Sequence, residues 1–146
     1  MEKKPFVTKE QLEEIAKTYP TPFYLYDEKG IRENAMKLKE AFSWNKGFRE
    51  YFAVKATPNP FILKILQELG CGTDCSSKTE LLMSDACGFS GHDIMFSSND
   101  TPPEEFKLAY DLGAIINLDD FTMIEFLEQV AAIPETICCR FNPGGV

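Results

Sequence analysis

The sequence predicts an α/β protein that forms part of a (β/α)8 TIM barrel. Short strand-like runs begin near residues 51, 71, 93, 114 and 136, so the steps between them are 20, 22, 21 and 22 residues. Helical patterns fill the intervals. Strand–helix–strand units with connections this short form right-handed crossovers and a parallel sheet.

All five predicted strands end in polar or charged residues, which is the second observation that favours a barrel. These residues are Lys55, Asp74, Ser97 to Asn99, Asn117 and Arg140 to Asn142. A (β/α)8 barrel carries its chemistry at the carboxyl ends of its strands. A doubly wound sheet is the alternative, but it usually has a glycine-rich turn after its first strand. Residues 55–60 contain no glycine, so we favour the barrel.

Three of the predicted helices between the strands have an apolar stripe at positions i, i+3, i+4 and i+7. The stripes begin at Ile62, Phe106 and Met123. Capping boxes are predicted at Ser77–Glu80 and Thr101–Glu104. Gly70 and Gly113 stand where helices should end.

A different segment precedes the repeat. Thr8 to Gln11 predicts a capping box at the start of a helix, and FYLYD from Phe23 to Asp27 predicts a strand. The interval of 28 residues from Phe23 to Tyr51 exceeds the later steps. It leaves open whether this strand joins the barrel or a second, β-rich domain. We therefore divide the chain into residues 1–27 and a first half-barrel at residues 28–146.

Composition limits the partners of the protein. With 23 acidic and 15 basic residues the net charge is −8, which argues against nucleic acid or an anionic membrane surface as a partner. No apolar run reaches the roughly 18 residues of a membrane helix, and the charged N-terminus does not resemble a secretory signal. We expect a cytoplasmic protein with reduced, buried cysteines. The single histidine and the absence of a Cys-x-x-Cys pair predict no metal site.

The length predicts an incomplete barrel. A closed (β/α)8 barrel takes about 250 residues, whereas the 146 residues here supply five of eight strands. We therefore expect the chain to be a fragment of a longer protein, and we expect the fragment alone to be inactive.

Lys55 is the sharpest chemical signal, since it is the lone charge at the end of the apolar run Tyr-Phe-Ala-Val. A strand-ending lysine is often only a solvated charge. When partly desolvated, however, its amine can attack a carbonyl to form a Schiff base. Such chemistry suits an aldolase or a pyridoxal phosphate (PLP) enzyme.

The motifs resemble those of the fold-type III PLP-dependent decarboxylases, which include the diaminopimelate, ornithine and arginine decarboxylases. Phe-Ala-Val-Lys55-Ala-Thr-Pro-Asn resembles the family's PLP-lysine motif, and Gly-Thr-Asp74-Cys-Ser-Ser resembles its second-strand motif. Thr21 to Asp27 and Arg140 to Pro143 resemble diaminopimelate decarboxylases in particular.

The resemblance implies an alanine-racemase-like barrel that binds PLP and decarboxylates an amino acid, with meso-diaminopimelate favoured as the substrate. Lys55 would hold the cofactor, Asp74 would lie beside it, and Arg140 would pair with an anionic oxygen of the cofactor or with Asp74. Such enzymes form homodimers, and their phosphate loop, ring-stacking histidine and second domain follow the fifth strand. Relatives acting on ornithine, arginine or carboxynorspermidine, and a non-catalytic decarboxylase-like binding protein, are the alternatives. Glu80 is better explained as a helix cap and His92 as a surface residue.

Overall fold

The computed structural model describes residues 4–141 together with residues 143 and 144, and its core is a repeating strand–helix unit. The helices are α1 (Lys9–Thr18), α2 (Glu28–Ala41), α3 (Pro60–Glu68), α4 (Lys78–Ala86), α5 (Pro103–Asp111) and α6 (Thr122–Val130). The strands are β1 (Tyr51–Ala53), β2 (Gly72–Cys75), β3 (Ile94–Ser97), β4 (Ile115–Leu118) and β5 (Ile137–Cys139). Every strand predicted from residue 51 onward is confirmed, and each begins within one residue of its predicted start.

The five strands form one parallel sheet in the order β1-β2-β3-β4-β5. Each strand lies beside the one that precedes it in the chain. A doubly wound sheet reverses its strand order at a switch point, and no reversal occurs among these strands. The sheet therefore follows barrel topology, as the even spacing of the repeats predicts.

The hydrophobic core lies between the sheet and the helices that follow its strands. Side chains of β3 and β4 alternate between buried and partly exposed, because neighbouring residues of a strand point to opposite faces. The buried residues Phe96 and Ile116 belong to one cluster with Leu81 of α4 and Phe106 of α5. The other face, which is the interior face of a barrel, carries the more exposed set.

The ends of the helices confirm two predicted caps and correct a third. Thr8 and Ser77 cap α1 and α4 through their side chains, and Gly70 and Gly113 end helices with φ of 79° and 69°. The predicted capping box at Thr101 is wrong. The residue before α5 is Pro102, which has no side-chain cap, and the Thr101 hydroxyl is buried without a hydrogen-bond partner.

The segment before the repeat lies at the margin of this core. Helices α1 and α2 have no fully buried residue, although Ile31 and Ala35 pack against a small cluster around Ile62, Leu66 and Cys71. The predicted strand at residues 23–27 is corrected, because these residues have no strand assignment in the structure. A strand needs a hydrogen-bonded neighbour, and the described sheet begins at β1.

The cysteines correct a second expectation. All five are free thiols, and Cys71, Cys75 and Cys87 are buried as predicted, but Cys138 is only partly buried and Cys139 is exposed. Burial raises the pKa of Cys75 to about 11, and its Sγ lies 3.2 Å from the Ser84 hydroxyl. Cys75 is therefore a protonated core residue at neutral pH. Within the described residues no helix combines the length and apolar character needed to cross a membrane.

Candidate active site

Lys55 lies immediately beyond the carboxyl end of β1. It is the middle residue of a short 3-10 turn, Val54–Ala56, which the buried Val54 anchors in the core. The Lys55 side chain itself is exposed. A rigid anchor beside an accessible amine is the arrangement that a covalent cofactor site requires.

Asp74 lies on the neighbouring strand, where its backbone pairs with Ala53. The carboxyl group is partly buried, and its Oδ1 atom has no hydrogen-bond partner. Burial raises the pKa of Asp74, whereas the Ser97 hydroxyl and the positive charges of Lys55 and Arg140 oppose that rise. Glu80 adds to it through its negative charge. The positive charges of Lys55 and Arg140 thus both act on the Asp74 carboxyl group.

Arg140 follows β5, and its partners differ from those expected. Its Nη1 atom lies 2.6 Å from Asp119 Oδ1 and donates a hydrogen bond of 3.3 Å to Asn99 Oδ1. The Arg140 side chain is 40% exposed and forms its ion pair with Asp119. The alternative in which Arg140 pairs with Asp74 is therefore corrected, and its pairing with an anionic oxygen of the cofactor stays a prediction. Asp119 takes the ion pair because it immediately follows the neighbouring strand, β4, at the same edge.

Asp119 is the residue of the candidate site that sequence reasoning missed. It directly follows Leu118, the last residue of β4, whereas the prediction from the sequence names Asn117 within the strand. The loops that follow parallel strands carry functional groups, so a carboxylate directly after β4 is the sequence feature that could have indicated Asp119. Asn142, the last of the predicted strand-end residues, lies outside the described residues.

Glu80 and His92 have the roles that the sequence indicates. The Glu80 carboxylate accepts hydrogen bonds from the Ser76 backbone N–H at 2.9 Å and from the hydroxyls of Ser76 and Ser77 at 3.1 Å each. It thereby fixes the turn that joins β2 to α4. His92 is exposed at the amino end of β3, where its backbone carbonyl accepts a hydrogen bond from Tyr51.

We expect Asp74→Asn to stabilise the protein at neutral pH. Because the pKa of Asp74 is raised above its ordinary value of 3.8, the folded state binds the proton more tightly than the unfolded state. Stability from this group is therefore fully present below pH 3.8 and is lost as the pH rises through the folded pKa. The neutral amide should therefore raise the free energy of unfolding at about pH 7.

Denaturant melts between about pH 7 and pH 4 test this expectation. The gain should shrink as the pH falls. Asp100→Asn, at an exposed aspartate, is the matched control and should show no such trend. A stabilisation of Asp74→Asn that stays constant with pH would contradict the assignment of the effect to the carboxylate charge.

Comparison with known proteins identifies the class to which this site belongs. Residues 28–145 match the family model described as "Pyridoxal-dependent decarboxylase, pyridoxal binding domain". The chain therefore belongs to the pyridoxal-dependent decarboxylase family, and the matched range includes Lys55, Asp74 and Arg140.

Individual relatives support this assignment. The chain is 44% identical over 135 residues to Protein TabA of Pseudomonas amygdali pv. tabaci, which covers 92% of this chain and 31% of TabA. It is 35% identical over 131 residues to the diaminopimelate decarboxylase of Methanothermobacter thermautotrophicus, covering 89% of this chain and 31% of that protein. The crystal structure of diaminopimelate decarboxylase from Helicobacter pylori complexed with L-lysine matches with a TM-score of 0.73 and 33% identity, over 82% of this chain and 30% of that one.

These matches confirm the family and the partial alanine-racemase-like barrel that the resemblance implies. The chain spans about a third of the length of the relatives it matches. The described residues contribute to the site the carboxyl edge of five parallel strands of the barrel.

Proposed function

We propose that this chain forms part of a PLP-dependent amino-acid decarboxylase that converts meso-diaminopimelate to L-lysine and CO2. The observation that carries the proposal is the juxtaposition of Lys55 and Asp74 at the carboxyl edge of the sheet, within the range that matches the pyridoxal-binding domain. Similarity to diaminopimelate decarboxylases supports the choice of substrate. We place the reaction in the cytoplasm.

The residues present fit the cofactor. Lys55 offers an exposed amine, and the Asp74 carboxyl holds a buried oxygen that lacks a hydrogen-bond donor within the described residues. Buried acceptors are normally paired, so an orphaned carboxylate oxygen beside a lysine suits a site that receives a cationic group. Lys55, Asp74 and Arg140 would hold PLP. When bound, PLP supplies an electron sink for the electron pair left behind by CO2.

These three residues would each contribute to this function. Lys55 would hold the cofactor through its amine and would move a proton at that nitrogen. Asp74 stabilises positive charge beside that amine. Arg140, held by Asp119 and Asn99, directs a cation at an anionic group of the cofactor.

Substrate choice is tested by measuring CO2 release from the PLP-loaded full-length protein, because we expect the 146 residues alone to be inactive. We expect release from meso-diaminopimelate and little from ornithine, arginine, carboxynorspermidine or L-lysine. CO2 release from another amino acid instead would overturn the choice of substrate but would still support a decarboxylase. PLP binding without decarboxylation of any amino acid would favour a non-catalytic binding protein.

The Arg140 proposal predicts a larger effect on cofactor affinity than on stability. The ion pair with Asp119 is partly exposed, and such pairs contribute up to about 1 kcal/mol. A hydrogen bond to a charged group is stronger, so Arg140→Ala should weaken PLP binding roughly 10-fold or more. PLP titration and thermal melts of the same variant measure both quantities. Unchanged PLP affinity with a lowered melting temperature would show that the ion pair is only structural.

The assembly is also part of the proposal. We propose a homodimer, in which the active site draws on both subunits. Sedimentation analysis of the PLP-loaded protein is expected to give a dimer, and a monomer with full activity would refute it.

A further inference from the structure

Two polar side chains on the interior face of the sheet remain outside the roles described so far. Ser97 and Asn117 are paired in register on β3 and β4. The Asn117 Nδ2 atom donates a hydrogen bond of 3.2 Å to Ser97 Oγ, and the pair is partly buried. Two residues earlier in each strand, on the same face of the sheet, lie Met95 and Ile115. The pair is therefore a polar contact above an apolar layer.

The direction of this hydrogen bond determines what Ser97 can do. A hydroxyl has one proton to donate and two lone pairs that accept. Because Ser97 Oγ accepts from the Asn117 amide, its own proton is available for another acceptor. The Asp74 carboxyl on β2 is such an acceptor. Asp74 is paired in register with Met95, and Ser97 lies two residues after Met95 on the same face of the sheet, so Asp74 and Ser97 are diagonal neighbours on adjacent strands. The Ser97 hydroxyl opposes the rise in the pKa of Asp74, and Asp74 Oδ1 has no hydrogen-bond partner.

We propose that Ser97 and Asn117 are positioning residues that orient the Asp74 carboxylate so that its unpartnered oxygen faces the amine of Lys55. The inference deepens the proposed function and rests on it for the role of Lys55. Asn117 fixes the Ser97 hydroxyl, Ser97 holds one side of the carboxylate, and Oδ1 is left for the cationic nitrogen. Asp74, Ser97 and Asn117 lie on three neighbouring strands, β2, β3 and β4, so the sheet itself sets the spacing between the three side chains.

Other charged groups act on Asp74 from the surrounding elements. Lys55 follows β1 and Arg140 follows β5, and both favour the carboxylate, whereas Glu80 of α4 disfavours it. The substitutions that test the proposal leave these three charges in place. Ser97→Ala and Asn117→Ala are therefore expected to change Asp74 through the hydrogen bonds alone.

The first measurement needs no cofactor. Carboxyl-carbon NMR of the PLP-free protein follows the titration of Asp74, and Ser97→Ala should raise its pKa by roughly one unit because a donor to the charged form is lost. Asn117→Ala should raise it by less. Ser97→Thr keeps a hydroxyl and should leave the titration unchanged, as should Ser98→Ala, which removes the neighbouring buried hydroxyl.

The second measurement uses the PLP-loaded protein. The pH at which its visible absorption band changes should fall by roughly one unit in Ser97→Ala, since a less ionised Asp74 stabilises the lysine-bound cation less. Failure of any variant, or of the wild type, to take up PLP would count against the proposed function. The NMR titration of Asp74 needs no PLP and would still test the positioning role of Ser97 and Asn117. Equal Asp74 titrations in wild type, Ser97→Ala and Asn117→Ala would overturn it. Should Ser97→Ala not fold, Asn117→Ala and Ser97→Thr give the same decision.

Discussion

Lys55→Ala is expected to abolish covalent attachment of PLP and to lower decarboxylation by roughly 10³-fold or more. The visible absorption band of the PLP-loaded protein should disappear with the amine. The effect is expected to be large because, in the proposed function, one side chain provides both the attachment point and a proton-transfer group. Among the residues that the structure describes, no other lysine ends a strand of the sheet, so we expect no neighbouring amine to replace it.

The structure supplies a control with the same chemical change. Lys64 is an exposed lysine in the middle of α3, on the helix that follows Lys55 in the chain. Lys64→Ala should keep the absorption band and the activity, because alanine is a good helix former and the side chain lies outside the site. A thermal melt of Lys55→Ala should resemble that of the PLP-free wild type, since the Lys55 side chain is exposed.

Borohydride reduction identifies the attachment point directly. Reduction fixes the cofactor on the amine that holds it, and peptide mapping should find the label on Lys55. A label on Lys64 or Lys78 would show that the site assignment is wrong. Retention of the absorption band by Lys55→Ala would contradict it equally.

The sheet was predictable from the sequence because its signal is repeated. Five strands and the helices after them each need one buried face, so apolar residues recur at a fixed interval. The strand starts observed at Tyr51, Gly72 and Ile94 lie within one residue of those predicted. The polar residues at the strand ends also predict that Lys55 and Asp74 lie at one edge of the sheet.

Single local motifs were less reliable. The Thr8 and Thr101 motifs look alike in sequence, yet only Thr8 caps its helix. Two successive prolines after Thr101 start α5 one residue later, and the Thr101 side chain is buried instead. Residues 23–27 have the alternation of a strand, but pattern alone provides no hydrogen-bonding neighbour.

The partner of Arg140 could not be read from the sequence either. Position in a strand fixes the edge at which a side chain emerges, not which of several carboxylates it meets. Asp74 lies three strands from β5 in the sheet order, whereas Asp119 follows the adjacent strand β4. Distance across the sheet therefore decides the pairing, and it becomes known only once strand order is established.

Phe106→Ala is expected to cause the largest loss of stability outside the site. Phe106 of α5 is 1% exposed. It contacts Phe96 of β3 edge-to-face, with ring centroids 6.2 Å apart, and Phe126 of α6 at 5.9 Å. The ring thus joins the sheet to two helices. Truncation of a buried phenylalanine costs roughly 3–5 kcal/mol, which is a large part of the roughly 5–15 kcal/mol that stabilises a domain.

Phe61→Ala is the matched control, because Phe61 also lies on a helix of the repeat but is 80% exposed. Its free energy of unfolding should stay within about 0.5 kcal/mol of the wild type. Urea melts of the two variants under one set of conditions measure the difference. Helix α5 follows β3, the strand that carries Ser97, so loosening α5 should also disturb the side chains of Asp74, Ser97 and Asn117. We therefore expect Phe106→Ala to lose PLP affinity and Phe61→Ala to keep it. Equal stability of the two variants would show that α5 is not packed on the sheet through Phe106, and the layered core described above would then be wrong.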